Sequence, residues 1–341
     1  MKVGGKSYRL VVRYYDDQSM ASRGSELAER LIRQDGVKFM LGANGSGFTS
    51  AMLPVVEKYK VPMIEANAAP RELFIKGHRY IFAVISTSEQ YLIPAINLAA
   101  ENAEALRKTE DQIKVAIAVE DEPFARNVRA GVIDAATRHG MRIVIDDRLP
   151  ADLGDMSATL TRVQSVKPDV LVVSGQEKGA VTAVTQVDAL QVEVAIVALA
   201  HCDSAQLAQG LGQAAEHMFC AHQWHRSLEY QDRLFGAAED FARHFQQTYN
   251  YAAPDQAAQS AAAVHVFADA FHRANSLDPE IVRGAIAATD LETFFGPIKF
   301  DAAGRNVAKS VLLTQIQNGE HVIVAPPEAA TGKPVIVAPM N

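Results

Sequence analysis

The chain has 341 residues, with 33 basic and 40 acidic side chains and a formal net charge of −7. At roughly 150 residues per domain, this length predicts two domains, each large enough for its own core. Hydrophobic residues at 48% and charged residues at 21% exclude a disordered or fibrous chain. The acidic excess without a basic block argues against nucleic acid, and no run reaches the ~18 apolar residues that a membrane span needs.

Taken in order, residues 8–15 (YRLVVRYY) predict a strand, and 20–34 a helix with Leu27, Leu31 and Ile32 on one face. Residues 37–41 predict the next strand, then a Gly-rich turn at 42–47 and a helix to about residue 58. Short strands at 62–64 and 81–84 precede a helix over 88–102, which Pro94 bends or begins. A similar rhythm restarts with strands at 114–119, 142–149, 169–173, 195–199 and 218–220. Between them lie helices at 124–139, 156–165, 179–190 and 204–211. Strands separated by helices predict parallel sheets with right-handed crossovers. Two such runs, meeting near residue 105, predict two α/β lobes.

Beyond Trp224 the pattern changes to long helices at 231–249 and 256–274 and a further one at 279–289. Strands follow at 296–300 and 310–317, and Asn318-Gly319 predicts a hairpin turn into 321–324. The Pro-rich stretch from Pro326 reads as a surface strap. Successive helices without a strand cannot extend a parallel sheet, so they are read as returning to cover the first lobe. Cys202 and Cys220 are 18 apart with no CxxC spacing, which makes a zinc site or disulfide framework improbable. Two buried thiols are favoured over a single bridge. The charged start, Met-Lys-Val-Gly-Gly-Lys, leads into neither an apolar segment of about 7–15 residues nor a cleavage site. The chain is therefore either cytoplasmic or given without its leader.

In an open parallel sheet, ligands bind beyond the carboxyl ends of the strands. After 37–41 come Asn44, Gly45, Ser46 and Gly47, offering an amide, a hydroxyl, close backbone approach and a helix N-terminus, a set suited to a carboxylate. A Ser46 that simply caps its own helix is an equal reading. The glycines match a dinucleotide fingerprint only loosely, and no P-loop occurs. After 62–64 come Asn67 and Ala68; after 114–119, Phe124; after 169–173, Ser174, Gly175 and Gln176. After 195–199 come His201, Cys202 and Asp203, and the last strand leads to Trp224, the single tryptophan. A lone tryptophan is more commonly packing than platform, but its place where the chain leaves the second run favours a ligand role. No HExxH, no GxSxG and no nucleophile–base pair occurs. The candidates favour binding over catalysis, with no catalytic residue, no cofactor and no metal.

Several segments together resemble a known family. They are the run from Gly5-Lys6 through Tyr14-Tyr15-Asp16-Asp17-Gln18-Ser19, the Gly45-Ser46-Gly47-x-Thr49 turn, Ala69-Pro70-x-Glu72-Leu73-Phe74, and Phe294-x-Gly296-Pro297-Ile298-x-Phe300-Asp301-x-x-Gly304-Arg305-Asn306. Their order resembles the type I periplasmic solute-binding proteins of branched-chain amino-acid-type ABC transporters, the leucine/isoleucine/valine-binding relatives. The resemblance implies an α/β fold of two Rossmann-like lobes joined by three crossovers, with ligand trapped in the cleft by hinge closure. The expected lobes are 1–105 plus 228–290 and 106–227 plus 291–341. It also implies a periplasmic monomer that serves an ABC permease. Family members open with one more strand and helix; without that unit the first lobe is expected to lack a central strand and to expose unpaired edges, as a truncated start would.

By the same resemblance, Ser46 falls where a serine hydroxyl and nearby amides take the ligand carboxylate. Asn67 and Ala68 fall in the loop that serves an α-ammonium, and Phe124 at an aromatic that lies over the ligand. No Glu occurs within 199–202, where amino-acid binders place the ammonium partner. An unpaired buried ammonium would cost several kcal/mol. The expected ligand is therefore a carboxylate without an amino group, such as a benzoate or phenylpropenoate, with Phe124, Gln176, His201 and Trp224 about its ring. The alternatives are a branched-chain amino acid, or a ligand-sensing module of a signalling system.

Overall fold

The computed structural model describes residues 1–151, 153–202 and 210–337. Two compact units form, Met1–Thr87 with Trp224–Lys309 and Ser88–Gln223 with Ser310 onward, so the chain passes between them three times.

The first unit opens with a short antiparallel ribbon, β1 (Lys2–Val3) and β2 (Lys6–Ser7). Then come α1 (Ala21–Arg33), β3 (Met40–Leu41), α2 (Ser46–Tyr59), β4 (Met63–Glu65) and β5 (Ile81–Ala83). Helix α1 buries Gly24, Leu27 and Ala28, and Arg30 and Arg33 in its last turn suit the negative end of its dipole. Strands β3, β4 and β5 pair in parallel in that order.

The second unit contributes α3 (Ile93–Glu101), β6 (Lys114–Glu120), α4 (Pro123–Arg138), β7 (Arg142–Leu149), α5 (Ser157–Val166), β8 (Val170–Ser174), α6 (Glu177–Ala189), β9 (Ile196–Leu199) and β10 (Phe219–His222). Back in the first unit lie a small ribbon, β11 (Gln231–Asp232) and β12 (Gly236–Ala237), and three helices, α7 (Ala238–Tyr249), α8 (Asp255–Ala274) and α9 (Pro279–Ala287). A hairpin of β13 (Asp290–Thr293) and β14 (Gly296–Lys299) closes that stretch. Strands β15 (Leu312–Gln317) and β16 (Glu320–Ala325) then complete the second unit's sheet, in the order β16-β15-β10-β9-β8-β6-β7.

That sheet is parallel from β10 to β7; its inner strands β6, β8, β9 and β10 are buried on both faces, as the strands of buried parallel sheets are, whereas the edge strand β7 carries Asp146, Asp147 and Arg148. Alternate residues divide between two cores. Val115, Ile117 and Val119 join Val128 and Val132 of α4 and Ile96 of α3, whereas Ala116 and Ala118 join Leu160 of α5 and Val184 of α6. In the first unit, Phe39 sets its ring edge-on to Phe271 at 4.6 Å, and Phe241 stacks on Phe294 at 4.3 Å.

Four expectations need revision. Residues 8–15 form no strand, and Val11, Val12 and Tyr14 are 68%, 67% and 85% exposed. A cavity of about 460 Å³ lies there, lined by residues 10–15, by 37–43, and by Leu27 of α1 and Phe267 of α8. β-rich composition alone makes no strand unless a neighbour accepts its main-chain bonds. The expected helix from 231 starts at Ala238 instead, because Asp232 Oδ1 accepts from the amides of Leu234 and Phe235 and turns the chain. Cys202 and Cys220 are bonded as a disulfide rather than free: Cys220 pairs with Leu199 across β10 and β9, which sets the two Cα atoms 5.6 Å apart. Lastly, α3 packs in the second unit, and the β13–β14 hairpin, whose Phe294 and Phe295 are fully buried, packs in the first. The crossing points are thus 87/88, 223/224 and 309/310. Most of the helix expected at 204–211, with Asp203 and Ser204, lies outside the described residues.

Candidate functional site

In the first unit, β3 ends at Leu41 and the turn to α2 begins with Gly42. Gly45, at the N-cap, takes φ 108°, a backbone state that side chains disfavour. This brings Ser46 into the first turn of α2 with no side chain capping the helix. Ser46 is 3% exposed, and its Oγ has no hydrogen-bond partner. A buried hydroxyl left unsatisfied at a helix N-terminus is chemically suited to an anion. Asn44 is exposed on the same turn.

Asn67 follows β4 and is tied down at both ends of its amide. Its Nδ2 donates to Ser260 Oγ at 2.9 Å, and its Oδ1 accepts from Gln259 Nε2 at 2.7 Å, both on α8. Its carbonyl accepts from the Gly45 amide, stapling this loop to the Ser46 turn. Ala68 is buried beside it. Gln259 keeps its own Oε1 unpartnered.

At the carboxyl ends of the second unit's strands, Phe124 opens α4 and lies 4.6 Å, ring to ring, from His201. Tyr91 meets Phe124 edge-on at 5.0 Å and His201 at 6.5 Å, completing an aromatic cluster. His201 Nδ1 lies 2.9 Å from the Gly175 carbonyl. A carbonyl can only accept, so Nδ1 carries a proton, and in the neutral ring Nε2 is the acceptor. Ser174 ends β8 fully buried with its Oγ unpartnered, and Gln176 is exposed at the start of α6 with no side-chain cap bond.

Trp224 is 3% exposed in the first unit. Its Nε1–H donates to the Phe294 carbonyl at 3.3 Å, its amide to Asp255 Oδ2 at 3.2 Å, and its ring meets Phe241 and Phe294 edge-on. The indole therefore has the surroundings of a packing residue.

Sequence reasoning passed over Tyr91, Gln259 and Glu65. The first two sit inside helix-like text with no local signal. Glu65 is fully buried at the end of β4, and desolvation pushes its carboxyl up to about 8, offset in part by the Thr49 hydroxyl and the Asn67 amide that face it. Lys309 is its converse: buried against the Phe295 ring and carbonyl, its ammonium is pushed down to about 7, with Asp255 partly opposing. Among the described residues, no group of three or more His, Cys, Asp or Glu is placed to hold a metal ion, and no helix is long and apolar enough to cross a membrane.

Comparison with known proteins agrees with the fold. The family model described as periplasmic binding protein matches residues 2–320. A Leu/Ile/Val-binding protein homolog 8 of Brucella abortus is 26% identical over 155 residues, 45% of this chain, and this chain spans 38% of that relative's length. A leucine-binding protein from Thermotoga maritima has the same fold, with a TM-score of 0.82 at 20% identity, covering 96% of this chain and 90% of that one. So does a solute-binding protein from R. palustris in complex with benzoate, with a TM-score of 0.79 at 18% identity, covering 97% and 90%. With the match along nearly its whole length, the chain belongs to the periplasmic binding proteins, and its α/β fold is that of the leucine-binding and benzoate-bound neighbours.

Proposed function

We propose that this protein is the solute-binding component of an ABC importer, that it works in the periplasm as a monomer serving a permease of the branched-chain amino-acid type, and that its ligand is a small aromatic carboxylate such as a hydroxybenzoate. The observation that carries the ligand class is the contrast between two sets of groups. One is an uncapped helix N-terminus with an unsatisfied buried Ser46 hydroxyl; the other is a Phe124–Tyr91–His201 aromatic cluster in which His201 Nδ1 is turned to the Gly175 carbonyl. In this reading Ser46 and Asn44, with the first amides of α2, take the carboxylate by charge-assisted hydrogen bonds. Asn67 and Ala68 border them through the backbone. Phe124 and Tyr91 take the ring edge-on, His201 Nε2 accepts from a phenolic hydroxyl, and Gln176 adds a polar contact. Trp224 packs within the first unit, against Phe241 and Phe294.

The benzoate carried by one structural neighbour supports this reading. The leucine-binding neighbour supports a second, a branched-chain amino acid. That ligand would need a carboxylate for its ammonium, and residues 199–202 supply none. No bond is made or broken in either reading. Ligand contacts select the bound state, as in any population shift.

Isothermal titration with 4-hydroxybenzoate and with leucine tests the proposal. Micromolar binding of the aromatic acid, about 8 kcal/mol, is expected, with leucine much weaker. Tight leucine binding without binding of the aromatic acid would overturn it.

A further inference from the structure

Glu65 ends β4 inside the first unit, 0% exposed, and neither carboxyl oxygen has a hydrogen-bond partner. The carboxyl sits where any side chain at Gly42 would stand: a Cβ there would come 1.5 Å from Oε1. Gly42 is the first residue of the turn that delivers Ser46. The neighbouring elements present Gly42 from the end of β3, the Thr49 hydroxyl from α2 and the Asn67 main-chain N–H from the loop after β4; among the described residues no charged side chain shifts its titration.

Thr49 lies three residues beyond Ser46 on the same helix, so Glu65 lies behind the turn that the preceding section assigns to the ligand carboxylate. Were Glu65 ionised, two carboxylates would compete for one helix N-terminus in a dry setting, and like charges that close do not both ionise. We propose that Glu65 retains its proton and forms an uncharged floor to the anion seat, so that ligand binding and Glu65 protonation reinforce one another. This rests on the carboxylate reading. Glu65 is a positioning residue: it acts on the ligand through the charge of the Ser46 turn. Because burial holds it near 8, the free protein is divided between both forms at that pH, and an anionic ligand draws it to the protonated one.

The test is titration of the whole protein with 4-hydroxybenzoate at pH 8 in buffers of different ionisation enthalpy. Binding is expected to take up about half a proton in the wild type and none in Glu65→Gln. The wild-type affinity is expected to fall about tenfold per pH unit above 8, while that of Glu65→Gln stays level. Heat of binding without proton uptake in the wild type, a measurement that needs no variant, overturns this inference alone. Equal uptake in wild type and Glu65→Gln also overturns it. Proton release on binding leucine would overturn it too, since an ionised Glu65 would then be pairing with a ligand cation. No heat from either compound overturns the ligand reading and this inference together.

Discussion

The space where a side chain at position 42 would stand is filled by the Glu65 carboxyl. Gly42→Ala should therefore displace that carboxyl within a packed interior and destabilise the protein by about 1–3 kcal/mol, the usual cost of overpacking. Urea unfolding checks this, and combining it with Glu65→Ala should restore most of the loss, since the two residues contend for one space. At this scale the sequence was legible where chemistry follows topology. Ser46, Phe124 and His201 each come directly after a predicted strand, which is where such folds expose functional groups. Glu65 also follows a strand, yet nothing in the text distinguishes a buried acid from a solvated one. Tyr91 is brought to Phe124 only by the packing that surrounds α3 and α4. The rarity and position of Trp224 were visible in the sequence, whereas its bond to Phe294 spans 70 residues and was not.

At the scale of elements, strands β6 to β9 lie within a residue or two of their expected bounds, because buried parallel strands are continuous apolar runs with helices between. The departures occurred where partners decide. Residues 8–15 have strand-like composition and no ladder, and 231–237 have helical composition with an aspartate that turns them. The disulfide is another such case, since spacing says nothing until β9 and β10 are known to be neighbours. Its closed loop of 18 residues should contribute about 3 kcal/mol to the second unit by the chain-entropy account. Reduction, or Cys202→Ala with Cys220→Ala, is expected to lower that unit's stability by this order in guanidinium unfolding. A change below about 0.5 kcal/mol would contradict it. Structural disulfides persist mainly in oxidising compartments, the kind of setting proposed above for this chain.

For the whole molecule, two buried groups pull stability in opposite directions with pH. Glu65, raised to about 8, binds a proton in the folded chain that the unfolded chain has already lost, so its contribution is full below about 4.5 and is lost as pH rises through 8. Lys309, lowered to about 7, is neutral in the folded chain while still charged in the unfolded one, so stability is recovered as pH rises from 7 towards 10.5. Each swing is on the order of a few kcal/mol. Melting temperature should therefore pass through a minimum between pH 7 and 8. Glu65→Gln should remove the decline on its acid side and Lys309→Met the recovery on its alkaline side, and a flat profile in the wild type would contradict both assignments.

The open groove beside residues 10–15 has a practical outcome of its own. Val11, Val12 and Tyr14 stand out next to a cavity walled by leucine and phenylalanine, an apolar surface that a second molecule can cover. A charge of −7 spread over 341 residues is a weak deterrent to so local an attraction. Concentrated stocks will tend to cling to one another at this flank first, and a lysine at position 12 is the simplest way to keep them apart.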